Sequence, residues 1–118
     1  MLPKKFRLSK KSLIAFLLRK GLKKNSRYFV CRYRFLDNEI IKTKFAFLIS
    51  KKIYLKAVQR NKLKRQMSEI TRNWLKTHKD FQKSSDFVIL PLASIRETGF
   101  EDLEKDLNLL LYYSAFKF

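Results

Sequence analysis

The sequence predicts an α+β fold: a single-domain α/β sandwich, helices against a sheet, in the order α-β-β-β-α-β-α. Three observations predict it. Leu63, Met67, Ile70 and Trp74 recur at helical spacing and form one apolar stripe. A segment before them alternates, with Phe29, Cys31, Tyr33 and Phe35 on one side and Arg32 and Arg34 on the other. The chain has 118 residues and is 46% hydrophobic. That suits one compact domain, residues 1–118, with its own core and no staple of disulfides or metal.

The first helix is expected over residues 10–20. Ser9 or Ser12 can cap it and Gly21 stops it. Its apolar face is Leu13, Phe16 and Leu17, with Ile14 and Leu18 adjoining. The first strand is the alternating segment, residues 28–36, and Asp37-Asn38 makes a turn. Residues 40–44 read as a second strand. It runs into 44–50, where Phe45, Phe47 and Ile49 face one way, as one bent strand or two. The longest helix spans about residues 55–76. A buried strand at 87–90 ends at Pro91. Thr98 and Glu101 have capping-box spacing before a last helix with the face Phe100, Leu103, Leu107 and Leu110.

Charge narrows the function. Lys and Arg number 28 against 10 Asp and Glu, a formal +18. Such an excess is most simply explained by a polyanionic partner, and nucleic acid is the commonest. Residues 1–65 carry 21 of the cations and only Asp37 and Glu39 as acids; the remainder is near neutral. No apolar run approaches the length of a membrane span. The basic, then apolar N-terminus resembles a signal peptide, but Leu13 to Leu18 is too short and Arg19-Lys20 follow it, so it reads as mature structure. One cysteine, Cys31, fits a reducing cytoplasm.

The strongest motif is Ser50-Lys51-Lys52 followed by Arg60-Asn61-Lys62-Leu63-Lys64-Arg65. Helical spacing gathers Arg60, Lys64 and Arg65 on one side, where they can straddle successive phosphates, with Asn61 free for edges or riboses. A solvated helix face usually mixes signs, and this one has no acid until Glu69. The strand aromatics are either core or base-stacking platforms. Core is the default, and Tyr28 and Tyr33, interleaved with Arg27, Arg32 and Arg34, are the exceptions to expect. The lone His78, Cys31 and the acids at 97–106 supply no metal cluster, nucleophile or acid–base pair. No catalytic side chain is assigned.

Lys51-Lys52, Ala57, Arg60-Asn61-Lys62-Leu63-Lys64-Arg65 and Glu69 resemble the signature of the bacterial ribonuclease P protein component. Arg7-Leu8, Gly21 and Arg27-Tyr28-Phe29-Val30 resemble that family's N-terminal block, so the likeness spans roughly residues 5–72. The resemblance implies the ribosomal protein S5 domain 2-like sandwich, with a left-handed β-α-β crossover against the usual rule. It implies a protein subunit that binds a catalytic RNA, one to one. The resulting endoribonuclease removes the 5′ leader of precursor tRNA, with Mg²⁺ required by the RNA and none held by the protein. Lys51, Lys52, Lys56, Arg60, Asn61, Lys62, Lys64, Arg65 and Arg72 would then bind the catalytic RNA. Ile14, Leu18, Tyr28, Phe29, Arg32, Tyr33 and Arg34 would line or flank a cleft for the leader. Three departures stand out. Lys62 replaces the last Arg of an Arg-Asn-Arg triplet, Ser68 stands where the family usually has Arg, and Ile14 and Leu18 stand where it often has Phe.

Three other functions compete. A structural RNA-binding protein of ribosomal type would share the charge and fold without any role in precursor cleavage. A protein-only nuclease needs carboxylates or paired histidines beside the basic face. A DNA-binding module would be displaced by duplex DNA.

Overall fold

Neighbouring parallel strands cannot be joined by a tight turn; they need a long crossover, usually a helix. The computed structural model describes residues 2–37, 40–81 and 83–116. Its sheet has the order β1-β2-β4-β3, with β1 at Leu22–Asn25, β2 at Phe29–Leu36, β3 at Thr43–Phe47 and β4 at Ser84–Pro91. β1 pairs antiparallel with β2 and β2 antiparallel with β4, while β3 and β4 are parallel. The crossover from β3 to β4 is α2, Ala57–Thr77. The other helices are α1, Lys11–Lys20, and α3, Phe100–Phe116, with short 3-10 turns at Lys4–Phe6 and Ala93–Glu97.

Strand alternation divides the interior in two. Phe29, Cys31, Tyr33, Phe45, Phe47, Phe87 and Ile89 face α2 and α3, where Leu63, Met67, Ile70, Trp74, Leu103 and Leu107 complete the main core. Phe87 stacks between Tyr33 and Phe45, at 5.7 and 5.0 Å between ring centres. The opposite face carries a smaller cluster of Leu8, Leu17, Ala46 and Val88, flanked by Leu13, Ile14, Leu48 and Leu90. Burying a large apolar side chain contributes about 1.5–3 kcal/mol, so the main core dominates and α1 is the lightly held helix. Gly21 matters to it: a Cβ there would lie 2.6 Å from the Leu17 carbonyl oxygen, in the backbone of α1's last turn.

Two acids hold parts of the fold together. Asp86 is buried on the α1 face and pairs with Arg34, Nε to Oδ2 2.9 Å. Asp106, on α3, accepts from Ser26 Oγ at 2.6 Å and from the backbone N–H groups of Arg27 and Tyr28 at 3.2 and 2.9 Å. It closes the turn between β1 and β2. Of the acids at 97–106, Glu101 and Asp102 lie in the first turn of α3, where they suit its dipole, while Asp106 serves the β1–β2 turn instead.

The expected element order is met, but by other strands. Residues 22–25 supply a strand where none was expected, because these four largely exposed residues show no alternation. The stretch 40–50 gives one strand, not two, since the backbone at 40–42 bonds elsewhere. The N–H of Lys42 donates to Ser84 Oγ, which in turn donates to the Ile40 carbonyl. Those bonds also carry β4 back to Ser84, through residues that look too polar for a buried strand. Asn38, of the expected Asp37-Asn38 turn, lies outside the described residues.

Three capping and packing expectations fail. α1 begins after Lys10 with no side-chain cap, so neither Ser9 nor Ser12 serves. The Thr98–Glu101 capping box is not formed. The Gly99 carbonyl already accepts from Leu103, which shifts the helix start by one residue, and the Thr98 hydroxyl is buried with no partner among the described residues. Phe16 and Phe100 are exposed, since Leu13, Ile14 and Leu17 fill the α1 seam and Leu103, Leu107, Leu110 and Leu111 that of α3.

Replacing Asp106 by Ala strands three donors of the β1–β2 turn. A loss of about 2–3 kcal/mol in unfolding free energy is expected by urea titration.

Candidate nucleic-acid interface

The basic motif sits on the first half of α2, where the buried seam dictates what can face out. Leu63, Met67, Ile70 and Trp74 are sealed against the sheet, so the residues between them must point outward or sideways. Asn61 and Arg65 are exposed along the outer ridge, with Val58 before them and Arg72 two turns further on. Lys64 leans to one flank and Lys62 to the other, each lining a separate cavity. Lys51, Lys52 and Lys56 are exposed in the approach to the helix.

Arg60 has a second task. Its Nη1 donates to the carbonyls of Tyr54 and Leu55, at 2.9 and 2.6 Å. It therefore ties the incoming loop to the first turn of α2, which has no side-chain cap. Ser68, which stands where the family usually has Arg, is buried, and its hydroxyl donates to the Lys64 carbonyl at 2.7 Å.

Beside α2 lies a cleft of about 320 Å³, bounded by the N-terminal segment, α1 and β3. Leu8, Ile14, Ala46 and Leu48 give it apolar walls, and Lys64 and Ser68 border it from α2. The segment before α1 is fixed there, because the Leu8 N–H donates to the Phe45 carbonyl at 2.8 Å. Ile14 is thus placed in the cleft, with Leu18 exposed one helical turn on.

The strand residues expected in the cleft are split. Tyr28, Phe29 and Tyr33 are buried, the last two at 0% and 2% exposure, on the α2–α3 side of the sheet. They cannot stack on a ligand in the cleft. Arg32 and Arg34 face the α1 side but are engaged: Arg32 Nη2 donates to the Gly21 carbonyl at 3.0 Å, and Arg34 holds Asp86. These two arginines position α1. Within β2 the alternation that predicts the strand separates Phe29 and Tyr33 from Arg32 and Arg34, while Tyr28 lies just before the strand and packs into the main core. The cleft residues missed from sequence, Leu8, Ala46 and Leu48, looked like ordinary apolar residues. Only the Arg7–Phe45 bridge, which lays the N-terminal segment along β3, reveals them. An exposed aromatic missed in the same way is Phe16, whose ring lies under the Arg34 guanidinium at 5.6 Å.

Neither Cys31 nor His78 is placed as a nucleophile. Burial pushes the Cys31 thiol up to about 12, and His78 stacks on Trp74 with its Nδ1 2.9 Å from the Trp74 carbonyl oxygen. Among the described residues no three His, Cys, Asp or Glu side chains gather to hold a metal, and no helix is long and apolar enough to cross a membrane.

The sequence profile of the family described as Ribonuclease P matches residues 2–114. The chain belongs to the ribonuclease P protein family. Solved ribonuclease P proteins share its fold. That of Staphylococcus aureus is 22% identical, with a TM-score of 0.72 over 94% of this chain and 96% of the other. That of Thermotoga maritima, in complex with 1-(4-fluorophenyl)-2-thiourea, is 27% identical, with a TM-score of 0.71 over 88% and 96%. A Staphylococcus aureus mutant described as defective in mRNA degradation is 24% identical, with a TM-score of 0.74 over 92% and 87%. No curated protein sequence matches significantly. Family and fold support a role as the ribonuclease P protein subunit, in tRNA processing, as partner of the RNA subunit of a ribonucleoprotein.

Two outcomes follow from the side-chain placements. Arg60→Ala should cost about 1–2 kcal/mol of stability through the freed carbonyls, whereas Arg65→Ala should stay within about 0.5 kcal/mol; thermal melts distinguish them. Cys31 should resist alkylation at pH 8 in the folded protein and react fully in denaturant, because only the thiolate is nucleophilic.

Proposed function

We propose that this protein binds the catalytic RNA of ribonuclease P through the outer ridge and approach of α2, and the 5′ leader of precursor tRNA along the cleft beside it. The observation that carries the reading is the pairing of a one-signed helix face with an apolar-walled cleft on the same helix. Lys51, Lys52, Lys56, Asn61, Lys62, Lys64, Arg65 and Arg72 surround the ridge, and Lys64 stands between ridge and cleft. Neutralising a phosphate chain, these cations displace its condensed counterions into solution. The cleft walls, Ile14 and Leu48 among them, offer the leader's bases apolar contact in place of an aromatic stack.

In this reading Mg²⁺ on the RNA supplies the hydrolytic chemistry. The protein contributes charge where two RNA strands converge, which lowers the divalent ion needed to hold them together. The complex is one protein to one RNA, in the cytoplasm.

At low Mg²⁺, catalytic RNA alone should cleave precursor tRNA poorly, and adding this protein should restore a mature 5′ end. Protein without RNA should give no product. A catalytic RNA that gains nothing from the protein would reject the reading. Affinity for the RNA should fall with salt at a log–log slope of roughly −4 to −8, as several phosphate contacts require.

A further inference from the structure

The second flank of α2 holds a cavity that the reading above leaves unused. It measures about 350 Å³ and lies between α2 and the junction from the 3-10 turn at Ala93–Glu97 into α3. Gln59, Lys62 and Gln66 line its α2 wall. Their spacing of three and four puts them on one helical line. Phe100, the first residue of α3, lines the opposite wall. It is 43% exposed and belongs to neither apolar cluster, so core packing does not account for it. Thr98, also on the lining, has a hydroxyl with no partner among the described residues.

These groups share one chemistry. Two amides each present a donor and an acceptor in one plane, the pattern that matches a base edge. An aromatic ring offers a stacking face to any base. The single cation, Lys62, adds charge at the rim. A phosphate site would gather several cations or backbone N–H groups instead. The volume sits at the small end of ligand pockets, too small for a duplex. Lys62 follows Asn61 in sequence and leans from the ridge onto this cavity, so a strand lying on Asn61 and Arg65 is within reach of it.

We propose that this cavity takes one unpaired nucleobase of the RNA docked on α2, stacked on Phe100 and read by Gln66. This rests on the docking of RNA along α2, and the test separates the two. Full-length protein is titrated with the catalytic RNA subunit at several salt concentrations, and the Watson–Crick edges of unpaired bases in the complex are probed chemically. Phe100→Ala and Gln66→Ala should each weaken binding, the former about tenfold, with the salt slope unchanged. One base protected in the wild-type complex should become reactive again in both. Phe100→Tyr should retain affinity and protection, and melting curves confirm that the variants fold. Arg65→Ala should weaken binding and reduce the slope by about one. Wild-type affinity and protection in Phe100→Ala and Gln66→Ala, beside a weakened Arg65→Ala, would overturn the base pocket and leave docking on α2 intact. Wild-type binding by all three would overturn both.

Discussion

The parallel pairing of β3 with β4 is the constraint on which the rest depends. It forces a crossover, and the crossover is α2. Once Leu63, Met67, Ile70 and Trp74 are committed to the main core, the orientation of every other α2 residue is set. Asn61 and Arg65 form the crest, Lys64 borders the α1 cleft, and Lys62 borders the cavity toward α3. One buried stripe thus arranges three different surfaces.

The charge has a matching internal logic. A formal +18 on 118 residues repels itself in the folded state. The structure answers locally rather than by wholesale pairing. Asp86 holds Arg34 beneath α1, and the Arg60 and Arg32 guanidinium groups lie on backbone carbonyls. Asp106 closes the β1–β2 turn from α3. Along α2 itself the chain carries no acid before Glu69, so its exposed cations have no neighbour of opposite sign on the first half of the helix. In the proposed reading a bound polyanion relieves their repulsion, which ties the instability of the face to the attraction of its ligand.

Much of this was legible in the sequence. The α2 stripe, the β2 alternation, the Gly21 stop and the one-signed basic motif all depend on near neighbours, where periodicity speaks directly. What was hidden depends on distant partners. The buried serines of β4 look like loop until Ser84 is seen bonding residues 40 and 42. β1 looks like loop until β2 pairs with it. Arg32 and Arg34 looked like ligand-binding cations until Gly21 and Asp86 were found against them. The placing of Tyr28, Phe29 and Tyr33 in the cleft failed for a different reason. Composition favoured stacking, while the alternation already on the page put Phe29 and Tyr33 with Cys31 in the core.

The central claim is that the inner seam of α2 holds the sheet while its outer ridge holds RNA. Lysine footprinting of the protein alone and bound to the catalytic RNA tests it most directly. The account predicts that Lys52, Lys62 and Lys64 become protected, while the exposed Lys76 and Lys105 stay reactive. Protection of Lys76 and Lys105, with Lys62 and Lys64 still modified, would contradict it.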